Sequence, residues 1–354
     1  MDRTTTREAV VVRSYLGPGD ERSLADDVLD GMTRPFKEIQ PKHFYDARGG
    51  DLFDRITELD EYYPTRAERA ILETRGAEAV VETGAVELVE LGSGTATKTR
   101  ILLRALHDAG TLLRYVPIDV TESLVRSTAE DLVDELPGLA VHGIVGDFER
   151  HLRHVPAPLD GPRVVAFLGG TIGNFPPGSR RRFLRGLARL LRPGTADRLL
   201  LGTDLVKDVG TLEAAYNDSE GVTAEFNRNV LRVMNRELDA DFDVDAFEHV
   251  AFFDHDREWI EMRLRAQRRM DVHVGALDLD LAFAAREEMR TEISAKFTRE
   301  RLEGDLAAAG MRPVEVMTDP DGLFALSLSE RADGYRWGGV AGGAGLRPSR
   351  AIRA

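Results

Sequence analysis

The chain contains no cysteine, which excludes disulfide frameworks, thiolate nucleophiles, iron–sulfur clusters and zinc sites of the cysteine type. Long apolar runs are absent too: no stretch reaches the roughly 18–20 apolar residues of a membrane span. The opening MDRTTTREAVVVRSYLG has an apolar triplet but no signal-peptide core, so a soluble cytoplasmic protein with no membrane partner is expected. Positive charge is in deficit, with 47 Lys and Arg against 61 Asp and Glu and a net charge of −14. Nucleic acid is therefore a poor partner, because phosphate backbones are gripped by clustered cations. Of the eight histidines only His151 and His154 stand at helical spacing. They lie in an Arg- and Pro-containing stretch with no acidic pattern nearby, which reads as a surface turn rather than a metal motif. No metal is expected. A small molecule is the natural partner, and the chain is expected to act as a monomer.

What is present is ordinary globular composition, 42% hydrophobic and 31% charged over 354 residues, enough for one large domain and a smaller one. Residues 1–22 read as a flexible arm and 330–354, with GGVAGGAG and several arginines, as a disordered tail. Residues 23–85 read as helical pieces broken by Pro35, Pro41, Gly49–Gly50 and Pro64, and they carry the aromatics Phe36, Phe44, Tyr45, Phe53, Tyr62 and Tyr63. Over 86–209 the texture changes. Short apolar strands at 86–91, 115–118, 140–145, 164–168 and 198–203 alternate with helices at 98–107, 122–135 and 179–191. That alternation predicts an α/β, doubly wound parallel sheet covered on both faces. The pattern breaks over 210–295, predicted as helices followed by a largely antiparallel insertion. Residues 296–329 then return to the main sheet as a helix and a hairpin turning at Asp319-Pro320-Asp321-Gly322.

Chemistry gathers at the strand ends. Glu90-Leu91-Gly92-Ser93-Gly94-Thr95 lies between a strand and a helix, where glycines allow a tight turn and a close ligand approach. A nicotinamide site wants a third glycine where Thr97 stands, which weakens that reading. The second strand ends in Asp119, able to accept ribose hydroxyls, and the third in Asp147-Phe148, an acceptor and a ring for an adenine. The fourth ends in Gly169-Gly170-Thr171-Ile172-Gly173-Asn174. Each feature alone is an ordinary turn. Together, at successive strand ends, they point to S-adenosylmethionine.

The chain resembles the ergothioneine-pathway L-histidine Nα-methyltransferases over roughly residues 25–328. The resemblance rests on Lys42-His43-Phe44-Tyr45-Asp46, Asp51-Leu52-Phe53-Asp54, Glu61-Tyr62-Tyr63-Pro64-Thr65-Arg66 and the glycine loop. It continues through Thr171-Ile172-Gly173-Asn174, Thr203-Asp204-Leu205-Val206-Lys207, Phe226-Asn227-Arg228-Asn229 and Thr291-Glu292-Ile293-Ser294. It implies a class I (Rossmann-like) methyltransferase domain with a smaller α+β substrate-binding domain, made from the N-terminal helices and the insertion. It also implies transfer of three methyl groups from S-adenosylmethionine to the histidine α-nitrogen, giving hercynine. Matching motifs assign Gly92, Gly94, Lys98, Asp119, Asp147 and Phe148 to the cofactor. They assign Tyr62, Asn174, Tyr216, Glu292, Ser294, Phe53 and Met262 to the substrate, with Tyr45 and Tyr62 as the catalytic tyrosines. Gly169-Gly170 departs from an expected Gly-Ser, which removes a hydroxyl near the methyl donor.

The substrate assignment has a physical rationale. Glu292 and Ser294 are two apart in an extended segment and so share a face, where a carboxylate and a hydroxyl serve the two imidazole nitrogens. Asn174 and Tyr216 are suited to the amino-acid carboxylate. A related enzyme acting on another amino acid or small amine is the alternative, and the presence of Glu292 counts against it.

Overall fold

The computed structural model describes residues 9–17 and 23–332. Of the tail expected at 330–354, Glu330 and Arg331 instead end the last strand, paired with its hairpin partner; residues 333–354 of it, and 1–8 and 18–22 of the expected arm, lie outside the described residues. Within the expected arm, Val10–Ser14 forms a strand, β1, which corrects that reading: its three successive valines and the two residues after them pair in parallel with 141–145. A two-residue strand β2 (Lys37–Glu38) follows in the segment expected to be helical. The alternating region supplies β3 (Glu87–Leu91), β4 (Arg114–Asp119), β5 (Ala140–Val145), β6 (Arg163–Phe167) and β7 (Arg198–Asp204). The insertion supplies β8 (Phe247–Asp254), β9 (Trp259–Ala266), β10 (Met270–Val274), β11 (Leu279–Phe283) and β12 (Glu288–Ala295). The closing hairpin is β13 (Met311–Thr318) and β14 (Phe324–Arg331).

The large sheet runs β1-β5-β4-β3-β6-β7-β14-β13. Its members from β1 to β7 pair in parallel, and the hairpin joins antiparallel through β14 against β7. Every residue of β3 and β6 is buried, as two-sided coverage requires. Period-two alternation sends Leu88 into the core on one face and Val89 into the core on the other. The helices present apolar stripes at helical spacing: Leu102, Leu103 and Leu106 in Thr99–Asp108, and Phe183, Leu184 and Leu187 in Pro177–Ala188. Strand order reverses at β3, between β4 and β6, so the crevice for a ligand opens at the carboxyl ends of those strands.

A second core unites parts distant in sequence. Leu24, Val28 and Met32, then Leu52 and Ile56, pack with Phe226, Val230 and Met234 of the helix Val222–Leu238. This core backs a four-stranded sheet in the order β2-β12-β9-β8 and the two-stranded pair β10-β11. Gly173 sits where this smaller sheet meets the large one. A Cβ there would lie 2.7 Å from the carbonyl oxygen and 3.0 Å from the amide nitrogen of Ala295, so only glycine allows the loop after β6 to approach β12 this closely. His151, expected on a surface turn, is buried, and the His154 ring stacks on Tyr15 at 3.7 Å. The strand β1 brings Tyr15 there, a contact between residues more than a hundred positions apart. Among the described residues, no helix is long and apolar enough to cross a membrane.

Candidate active site

The loop after β3 turns through left-handed backbone at Gly92 (φ 67°) and Gly94 (φ 49°), conformations that cost a side-chain-bearing residue about 1–2 kcal/mol. The Gly92 amide donates to Ile118 O at 2.8 Å, and the Gly94 amide donates to Asp119 Oδ2 at 2.9 Å. The other carboxylate oxygen of Asp119 accepts from the Thr121 amide at 2.9 Å. Asp119 is thus oriented by backbone on both oxygens, and each oxygen keeps a lone pair for a ribose hydroxyl. One strand further, Asp147 caps the short helix Phe148–His151 by accepting from the Glu149 amide at 2.8 Å. The half-buried Phe148 ring rests edge-on to Phe167 at 5.3 Å, and a Cβ on Gly92 would come within 3.6 Å of it. Gly92, Asp119, Asp147 and Phe148 therefore stand at the ends of three adjacent strands. Left-handed glycines with open space beside Gly94, a ribose-competent carboxylate and a partly exposed ring fit S-adenosylmethionine.

Beneath the loop, Glu90 is buried and accepts from Thr99 and Tyr115. Burial pushes its carboxyl up to about 7, while those two hydroxyls pull the other way. Lys98 carries an ion pair to the fully buried Glu68, whose other oxygen accepts from the Gly169 amide at 2.8 Å. Glu68 thereby ties the helix Pro64–Ile71 to two of the loops at the crevice. Gly169 and Gly170 are both left-handed (φ 77° and 68°), so the departure from Gly-Ser suits the backbone here.

Across the crevice the substrate candidates converge. Tyr45 makes edge contacts with Phe53 at 5.6 Å and Phe226 at 5.5 Å; Tyr62 does the same with Phe53 at 6.3 Å and Tyr216 at 6.5 Å. Burial, and then the neighbouring Glu292, Tyr62 and Tyr216, hold the Tyr45 phenol well above its ordinary value; Tyr62 is raised in the same way, first by burial and then by Tyr216 and Glu292. Yet Tyr45 keeps about half its surface accessible (49%), and Tyr62 and Glu292 keep part of theirs. Groups that lie deep among protein atoms and still present surface face a cleft. The antiparallel register sets Met262 of β9 directly opposite Glu292 of β12, which places both side chains on one face of the small sheet. Burial pushes the Glu292 carboxyl up to about 7 against the pull of Lys296. Among the described residues nothing hydrogen-bonds to the Glu292 carboxylate. Asn174, half-buried, closes the loop that Gly173 presses against β12.

Sequence reasoning gave no role to the polar cluster below this cleft. Asp204, at the end of β7, accepts from Tyr63 OH at 2.9 Å, Lys207 Nζ at 2.5 Å and Lys296 Nζ at 2.7 Å. Burial raises its carboxyl, but the two lysines overcome that and hold it below the usual range. Burial lowers Lys207 to about 8 despite Asp204. Lys296 also reaches Ser294 and Tyr216, and the Tyr216 hydroxyl donates to Ser294 Oγ at 2.8 Å. The available signal was Lys296, a charged residue directly after the apolar alternation of β12. Among the described residues no group of three or more His, Cys, Asp or Glu is placed to hold a metal ion.

A doubly wound sheet whose glycine loop, ribose-competent Asp119 and Asp147-Phe148 pair line one crevice, capped by a second aromatic pocket, defines a class I S-adenosylmethionine-dependent methyltransferase. The model of the S-adenosylmethionine-dependent, histidine-specific methyltransferases matches residues 24–331, and the chain belongs to that family. It is 55% identical over 309 residues to a histidine N-alpha-methyltransferase of Mycolicibacterium smegmatis, covering 87% of this chain and 95% of that protein. With a protein of the same name from Mycobacterium tuberculosis it shares 51% over 323 residues, 91% of this chain and 99% of the relative. Ergothioneine biosynthesis protein 1 of Neurospora crassa is 34% identical over 215 residues, 58% of this chain and 24% of that longer protein.

Proposed function

We infer that this chain transfers methyl groups from S-adenosylmethionine to the α-amino nitrogen of L-histidine, carrying it to the trimethyl betaine hercynine at the start of ergothioneine biosynthesis. The observation that supports the substrate best is Glu292: a deep carboxylate without a hydrogen-bonding partner, two residues from a hydroxyl on the same strand face. Such a carboxylate, deep among protein atoms yet open to the cleft on one side, has room for a donor, and an imidazole N–H supplies one. Ser294 serves the second ring nitrogen, while Asn174 and Tyr216 hold the amino-acid carboxylate.

S-adenosylmethionine supplies an electrophilic methyl group when bound. The chain's own part is to hold the amine on the line of attack and let its proton leave. Tyr45 and Tyr62 are assigned to the amine. With phenols raised by burial they stay neutral, so they orient the nitrogen through hydrogen bonds rather than remove its proton as strong bases. The rings of Tyr45, Phe53 and Tyr62 then face a growing cationic centre, each contact contributing about 0.5–2 kcal/mol of cation–π attraction. The test is mass spectrometry of histidine labelled at the α-nitrogen after incubation with the chain and S-adenosylmethionine. Mono-, di- and trimethyl species with every methyl on the labelled nitrogen are expected. Methylation of the ring, or a product that stops at one methyl, contradicts the reading.

A further inference from the structure

Lys296 lies wholly inside the protein, and no step of the proposed reaction uses it directly. An ammonium carries three protons and no lone pair, so it only donates. Its Nζ stands 2.7 Å from Asp204 Oδ2, 2.9 Å from Ser294 Oγ and 3.0 Å from Tyr216 OH, which accounts for all three protons. The consequence falls on the two hydroxyls. Each already accepts from Lys296, so each has its own proton to place. Among the described residues the acceptor within reach of either one is the other hydroxyl, 2.8 Å away. One proton bridges the pair and the other has no acceptor in the protein. A ligand offering two acceptors takes both.

We propose that Lys296 is a positioning residue that turns Ser294 and Tyr216 into donors toward the substrate, so that the site selects histidine with a neutral imidazole ring. Ser294 donates to the bare ring nitrogen, Glu292 accepts from the ring N–H, and Tyr216 donates to the carboxylate. This rests on the histidine reading of the site and adds the protonation state that the site accepts. A lone carboxylate such as Glu292 favours the charged imidazolium. Lys296 counters it twice, by its own charge near Glu292 and by aiming a hydroxyl proton where imidazolium would place an N–H. Asp204, shared with Lys207, holds the Lys296 ammonium in place from below.

The test uses the full chain saturated with S-adenosylhomocysteine and histidine labelled with nitrogen-15 in the ring, observed by NMR near neutral pH. One nitrogen with the shift of a bare acceptor and one with that of an N–H, locked in a single tautomer, is the expected result. Two N–H shifts, or the averaged shifts of free histidine in a demonstrably bound ligand, overturn the proposal and leave the histidine reading standing. No bound histidine at all overturns both. A second arm measures histidine affinity by calorimetry in Lys296→Met, Ser294→Ala and the double variant. Lys296→Met should lose affinity roughly tenfold to a hundredfold, the worth of a charged hydrogen bond, with S-adenosylhomocysteine affinity unchanged. The double variant should fall little further than Lys296→Met alone, since loss of Lys296 already removes the orientation of the Ser294 donor; additive losses would overturn the proposal. If Lys296→Met does not fold, the NMR arm decides on the parent chain alone.

Discussion

The Gly94 amide donates to Asp119 Oδ2 at 2.9 Å, so the glycine loop and the carboxylate proposed to read the ribose hold each other. Asp119→Ala removes an acceptor for the cofactor and the group that orients the loop. S-adenosylmethionine affinity should drop by about 1.5–3 kcal/mol, the scale of hydrogen bonds to a charged group. Isothermal titration calorimetry measures it, and unchanged affinity removes Asp119 from the site.

Gly173 separates the two binding functions. Its missing Cβ is what lets the loop after β6 lie against Ala295. In Gly173→Ala the loop and β12 must part by several tenths of an ångström, shifting the loop that carries Asn174 relative to the strand that carries Ser294. A stability loss of about 1–3 kcal/mol is expected from overpacking. Histidine turnover should fall by more than that alone explains, with cofactor affinity retained. Full activity in the variant would show that this contact does not shape the substrate pocket.

Much of this was legible in the chain itself. The strands from β3 to β7 follow apolar runs bounded by turns; of the period-two pattern at 277–281, residues 279–281 open β11, while Leu277 ends a short helical turn. The glycine loop, Asp119 and Asp147-Phe148 were visible because each sits at a strand end, where chemistry and local pattern coincide. β1 was not, because its partner lies about 130 residues away and Val10–Val12 alone is too short a signal. The cluster of Asp204, Lys207, Lys296 and Tyr63 was hidden for a different reason. A charged residue in sequence is read as solvated by default, and only the meeting of β7, β12 and the helix beginning at Pro64 shows that these charges compensate one another inside the protein.

Burial pushes the Glu292 carboxyl up to about 7, above the unfolded value of ~4.3. The folded chain therefore keeps a proton that the unfolded chain releases. This group's contribution to stability falls as pH rises from about 4.3 through about 7. Glu292→Gln carries no such proton. Its stability relative to the parent should improve by on the order of 1–3 kcal/mol between about pH 5 and about pH 8. Urea denaturation of both proteins at the two pH values checks the sign, and a gap that stays fixed or moves toward the parent contradicts the burial argument.

Glu292, facing Met262 across the strand pair, is the residue proposed to make this a histidine site. Phenylalanine, leucine and tryptophan carry the same backbone groups for Asn174 and Tyr216 but leave the carboxylate unpaired, and a site built on such groups rejects them strongly. The measurement is kcat/KM for histidine and tryptophan, side by side, in the parent and in Glu292→Ala. The parent should favour histidine by a wide margin. In the variant, activity on histidine should collapse and the preference shrink by about tenfold or more, the equivalent of the 1–3 kcal/mol cost of an unpaired buried group. An unchanged preference for histidine in Glu292→Ala would contradict the assignment.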